Sequence, residues 1–165
     1  MKKFLIGMTI ILGGLLITGC GKVNTEKVES RNAEINKEIS DSVKNDTIEG
    51  LQLIDSNILL TSLGLETEDV SDYIGKIPVY NRLEGTMYVA IKPASGKKEK
   101  VKRALDLYVS GLESRLSMPN DDSNTNENEL KLLKEITKEE YKGYYIYVSG
   151  SNKDQILKIL KEHVK

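Results

Sequence analysis

Residues 85–117 read GTMYVAIKPASGKKEKVKRALDLYVSGLESRLS. From Gly85 to Lys92, Met87, Val89 and Ile91 alternate with Tyr88 and Ala90, the two-residue period of a strand. Pro93 has no amide hydrogen to continue a ladder, and Ser95-Gly96 supplies a turn. Beyond the turn the period changes. Val101, Ala104, Leu105, Tyr108, Leu112 and Leu116 recur three and four residues apart, along one side of a long helix over Lys97 to Ser117. Pro119 and the Asn/Asp/Ser run from Asn120 to Asn128 end it. A strand that turns into an amphipathic helix implies a sheet with helices laid against it.

The flanking sequence extends that layout. Toward the C-terminus, Leu133 to Glu140 reads as a second strand, Lys142-Gly143 as a tight turn and Tyr144 to Ser149 as a third strand. In the third, Tyr144, Ile146 and Val148 lie opposite Tyr145 and Tyr147. Gly150-Ser151-Asn152 leads into a last helix whose apolar face is Ile156, Leu157, Leu160 and Val164. Toward the N-terminus, Ile48 to Leu65 is strongly apolar. Leu51, Leu59, Leu60, Leu63 and Leu65 suit a core-facing helical segment ended by Gly64. Thr67-Glu68-Asp69-Val70 has the pattern of a helix start with Thr67 as cap, and Gly75 and Pro78 keep that helix short. The expected fold is α+β: two layers, a small mostly antiparallel sheet of about three strands, and helices on one face.

The N-terminus has a separate logic. Met1-Lys2-Lys3 is basic, and Phe4 to Ile17 is an uncharged, mostly apolar run. It falls short of the roughly twenty residues of a comfortable membrane span, so it reads as an export leader. It ends in Ile17-Thr18-Gly19-Cys20, which has the form of a lipobox: an aliphatic residue, two small or modest ones, and a thiol that takes a diacylglyceryl thioether. Cleavage would fall between Gly19 and Cys20. Cys20 is the only cysteine of the chain, which excludes an internal disulfide. Residues 1–19 are therefore expected to be leader, and residues 20–46 a lipidated N-terminus and polar, partly helical tether. Val28, Ile35, Ile39 and Val43 form only a thin stripe on that tether, with a coiled-coil dimer as the alternative. Residues 47–165 are expected to form one α+β domain.

Three segments together resemble an uncharacterised family of lipoproteins from Gram-positive bacteria, built on a domain of unknown function. They are Asp72-Tyr73-Ile74-Gly75-Lys76-Ile77-Pro78, then Met87 to Lys97 leading into the charged helix, then Tyr141 to Ser149 before the closing helix. The resemblance implies a lipid-anchored location outside the cytoplasmic membrane. It implies no activity and carries over no site residues.

The remaining chemistry is limited. Lys and Arg total 24 against 25 Asp and Glu, without the basic excess that nucleic-acid binding needs. The single histidine, His163, lies in the last turn, and no His/Cys cluster offers metal ligands or a cofactor site. Asp122, Asn124 and Asn126 mimic the first ligands of a calcium loop, but Glu127 replaces the turn glycine and Leu133 the bidentate glutamate. Ser95-Gly96-Lys97-Lys98 lacks the upstream glycine of a phosphate loop. Lys97, Lys98, Lys100, Lys102 and Arg103 form a basic start to the long helix that would suit an anionic lipid or wall polymer, although an ordinary solvated helix face is the favoured reading. If helices cover one face only, Tyr88, Tyr145 and Tyr147 stand on the open one and would bind an envelope protein, glycan or small ligand; the alternative, which the sequence favours, is that they pack beneath the terminal helix or a loop. Two readings follow: a non-enzymatic binding or accessory module held at the membrane through Cys20, or a carboxylate-dependent envelope hydrolase. The second needs acids from separate elements to converge in one pocket.

Overall fold

A computed structural model describes residues 24–43, 48, 50–78, 84–118 and 123–165. The segment expected to be a leader, with Gly19 and Cys20, lies outside them, as do Pro119 and Asp122. The elements are α1 (Thr25–Val43), β1 (Gln52–Leu53), α2 (Ser56–Leu63), a 3-10 turn (Thr67–Asp69), β2 (Val70–Ile77), β3 (Met87–Pro93), α3 (Lys98–Leu116), α4 (Ser123–Lys134), β4 (Thr137–Tyr141), β5 (Tyr144–Ser149) and α5 (Lys153–His163). The fold is α+β, with a five-stranded sheet in the order β1-β2-β3-β5-β4 and every neighbouring pair antiparallel.

The central strands explain the layering. Met87 to Ile91 in β3 and all of β5 are buried on both sides. A strand with two apolar rows needs cover on both faces. One face packs Tyr73, Val89, Ile91, Tyr145 and Tyr147 under α2, α3 and α4. The other packs Ile74, Tyr88, Ala90, Tyr144, Ile146 and Val148 under α1 and α5. The molecule thus has three layers, where the sequence suggested two, and five strands in place of about three.

Besides strand β1 and the exposed Leu60, which both fall in the stretch expected to be a core-facing helical segment, two elements differ locally from the sequence expectation. Thr67-Glu68-Asp69 does begin a helical turn, with Glu66 N–H donating to Asp69 Oδ2 at 2.9 Å. It stops after one turn, and the expected short helix is instead strand β2. Val70, Tyr73 and Ile74 favour extended backbone. Gly75 sits at φ +150, where a Cβ would lie 2.3 Å from the Tyr88 carbonyl oxygen. The polar run after Pro119 is the other difference, because α4 already begins at Ser123. Leu133 enters the core beneath it and Leu130 packs alongside, so the second strand of the hairpin starts at Thr137.

The largest difference concerns the segment expected to be a tether. Ile35 and Ile39 of α1 are buried in the same cluster as Ile74 and Tyr88. The folded unit therefore includes Thr25–Val43 and does not begin at residue 47.

Candidate functional site

α1 is held by amides as much as by aliphatic side chains. Val28, Asn32, Ile35, Asn36, Ile39 and Val43 follow helical spacing, so both asparagines share the inward stripe. Asn32 Nδ2 donates to the Ile54 carbonyl at 2.6 Å, and Asn32 Oδ1 accepts from Gly75 N–H at 2.9 Å. Ile54 N–H donates to the Gly75 carbonyl at 3.0 Å. The Asn32 amide thus fills a gap where the chain following β1 leaves β2. Asn36 Nδ2 donates to Asn32 Oδ1 at 2.5 Å, and Asn36 Oδ1 accepts from the Tyr88 hydroxyl at 2.7 Å. Every member of this buried row has a partner, as a buried polar network requires.

Arg31 precedes that row and reaches the end of the sheet. Its Nη2 donates to Asp72 Oδ2 at 2.5 Å. The Tyr144 hydroxyl donates to the same oxygen. Asp72 Oδ1 accepts from Tyr73 N–H at 2.9 Å. Asp72 and Tyr144 lie on the α1/α5 face, on either side of Lys92 on β3. Burial and the bonded, negatively charged Asp72 push the Tyr144 hydroxyl up to about 12, against the lowering influence of Arg31. At neutral pH Tyr144 is therefore a donor.

The three side chains form the floor of an open cleft of about 390 Å³, whose wall carries Lys27, Lys92 and Lys165. Lys92 Nζ lies 5.3 Å from the centre of the Tyr144 ring and donates to the Lys165 backbone oxygen at 3.0 Å. The site gathers four cationic side chains from α1, β3 and the segment after α5 around one carboxylate. Sequence reasoning missed it. The available signal was Asp72, an acid two residues before Ile74 and so in the same row of β2 as that buried side chain.

The tyrosines singled out from sequence take the packed alternative and not the exposed one. Tyr88, Tyr145 and Tyr147 are all buried. Tyr88 pairs in register with Val148, and Tyr147 with Val89, which puts Tyr88 and Tyr147 on opposite faces. Tyr147 donates from its hydroxyl to Asp106 Oδ1 at 2.8 Å under α3. Burial and the Asp106 carboxylate raise its pKa, while burial alone raises that of Tyr88. None of the three forms an exposed aromatic face, because helices cover both sides of the sheet.

The basic start of α3 is largely paired. Lys97 and Lys100 bind Asp69 at 3.1 and 2.5 Å, Lys98 binds Glu140 at 2.6 Å, and Lys102 binds Asp106 at 2.7 Å. Burial opposes ionisation of Asp69, but hydrogen bonds from Lys100, the Glu66 backbone and Lys97 bring its pKa down to about 2. Asp106 is likewise held at about 2 by Lys102, Tyr147 and Lys138 against its own burial. Carboxyls so far below neutrality are poor proton donors.

Among the described residues, no three His, Cys, Asp or Glu side chains come together to hold a metal. His163 Nε2 lies 2.9 Å from Glu38 on the surface. Asn124 and Asn126 fall within α4, so the calcium-like spacing lies partly on a helix, and Asp122 is outside the described residues. A larger groove of about 630 Å³ runs between α2 and α3, lined by Ile58, Leu63, Leu107, Tyr108 and Arg115. Among the described residues, no acidic side chain lines it, and in the basic cleft Asp72 is the only one. No protein-family model, curated protein or solved structure matches this chain, and the geometry above is what bears on function.

Proposed function

We propose that the chain is an extracytoplasmic lipoprotein, a non-enzymatic binding or accessory module held at the outer face of the cytoplasmic membrane. Ile17-Thr18-Gly19-Cys20, following a basic start and a short apolar run, carries this reading. Residues 1–19 are the leader, and Cys20 is the lipidated first residue of the mature chain. The same residues, with the three segments quoted above, support placing it with the uncharacterised Gram-positive lipoproteins. The binding reading is favoured over the hydrolase by the distribution of acids. In the two clefts described they do not converge from separate elements, and Asp69 and Asp106 are locked by lysines.

With α1 folded into the domain, only Gly21 to Asn24 separate Cys20 from its first residue. Fully extended, that leash spans at most about 18 Å. The domain is therefore held close to the bilayer surface.

Metabolic labelling with a fatty acid tests the anchor. Label is expected on the parent and not on Cys20→Ala; equal labelling of the two overturns the lipoprotein reading.

A further inference from the structure

We infer that the cleft between the first turns of α1 and the Lys92 end of the sheet binds a phosphate ester. This deepens the binding-module reading and rests on it. Lys27, Arg31, Lys92 and Lys165 converge there with one acidic side chain. Even with the Lys165 backbone oxygen counted as a second negative group, cations exceed anions by two. Like charges gathered around one cleft repel, and more strongly where protein displaces water. The cluster is thus favourable chiefly with an anion among its members.

Asp72 does not supply that anion in full. Its Oδ2 is taken by Arg31 and Tyr144 and its Oδ1 by the Tyr73 amide. The Lys92 amine is turned toward Lys165 and the Tyr144 ring. The Arg31 Nε–H is buried and donates to no acceptor among the described residues. Asp72 and Tyr144 thereby orient the guanidinium, while the exposed Lys27 and Lys165 also line the cleft. Donors approaching from several sides suit a tetrahedral group with three acceptor oxygens better than a planar carboxylate. A cleft of about 390 Å³ also leaves room for the alcohol part of an ester.

Two sources share this chemistry. Lys27 is seven residues from Cys20, within about 25 Å along an extended chain, so an anionic lipid headgroup is within reach of the cleft. A soluble or wall-borne glycerol phosphate reaches it from the opposite side.

The test uses the full chain in lipid-bilayer discs, with the rate of amine acylation at each lysine read by mass spectrometry. In discs of phosphatidylcholine alone, glycerol phosphate is expected to slow acylation of Lys27 and Lys165 at least fivefold and to leave Lys102 unchanged. In discs containing phosphatidylglycerol, the same protection without added ester identifies the headgroup as the source. Protection by the soluble ester alone identifies a soluble ligand. The variant Lys27→Gln/Lys165→Gln should melt like the parent and need at least tenfold more ester to protect Lys92. Protection in neither arm, or equal protection by acetate at matched ionic strength, overturns the proposal. Fatty-acid labelling of Cys20 is a separate readout, so failure of the cleft and failure of the anchor are distinguishable.

Discussion

Replacing Asn32 with alanine separates an α1 that belongs to the core from one that merely lies outside it. In an independent helix the change is mildly favourable, because alanine has the higher helix propensity by about 0.5 kcal/mol. In this fold it withdraws the donor to the Ile54 carbonyl and the acceptor for Gly75 N–H, both buried. Each orphaned group costs roughly 1–3 kcal/mol, so the two together cost about 2–6 kcal/mol. Asn36 keeps its bond to the Asn32 carbonyl at 2.7 Å and adds little to that cost. A single domain of this size loses about 3–5 °C in Tm per kcal/mol, which places the expected drop near 10 °C or more. Urea and thermal unfolding beside Lys37→Ala, on the exposed side of α1, make the measurement. Lys37→Ala should leave the midpoint within about a degree. An Asn32→Ala midpoint equal to or above the parent's would refute the account of α1, and with it the placement of Arg31 over Asp72.

Two further outcomes follow from the same structure. Tyr145→Ser/Tyr147→Ser should destabilise by at least about 3 kcal/mol in denaturant titration, since truncating one buried aromatic costs roughly 3–5; an unchanged midpoint would place these rings at the surface. Asp69 and Asp106, held at about 2 against an ordinary 3.8, favour the folded state above the ordinary value and cease to do so as the pH falls to about 2. Urea midpoints should therefore fall between pH 4 and pH 2, with a shallower fall in Asp69→Asn/Asp106→Asn; identical slopes would remove these carboxylates from the pH dependence.

The parts of the fold that were legible in the sequence are those whose signals are local. The Met87–Ile91 alternation, the α3 stripe and the turn at Lys142-Gly143 each declare themselves within a few residues. The structure places a strand, a helix and a hairpin there. β2 was misread because Thr67-Glu68-Asp69 is a true helix start whose continuation is decided by pairing with β3, about twenty residues away. α4 was hidden by its composition: Ser123 to Asn128 is turn-like, and only the contacts of Leu130 and Leu133 with the core make it a packed helix. Whether Tyr145 and Tyr147 were exposed or packed stayed open for a related reason. Alternation shows that a strand has two faces, and elements far along the chain determine whether each is covered.

The basic cleft was illegible for a deeper reason, and it ties the fold to the proposed role. A stripe of Val28, Ile35, Ile39 and Val43 is too thin to dock a helix by hydrophobic burial alone. Asn32 and Asn36 complete it, but an asparagine counts as inward only once Ile54, Gly75 and Tyr88 are known to meet it. The polar bonds that dock α1 also fix its register against β2. That register sets Arg31 at Asp72, with Lys27 one turn nearer the N-terminus. A helix docked only by aliphatic contacts could slide by a turn, about 5.4 Å, at modest cost, and would carry Arg31 away from the carboxylate. With the amides in place, sliding leaves at least two buried backbone groups without partners. The same residues that make the segment look like a polar tether therefore hold its cationic end in position beside the sheet, a few residues from Cys20.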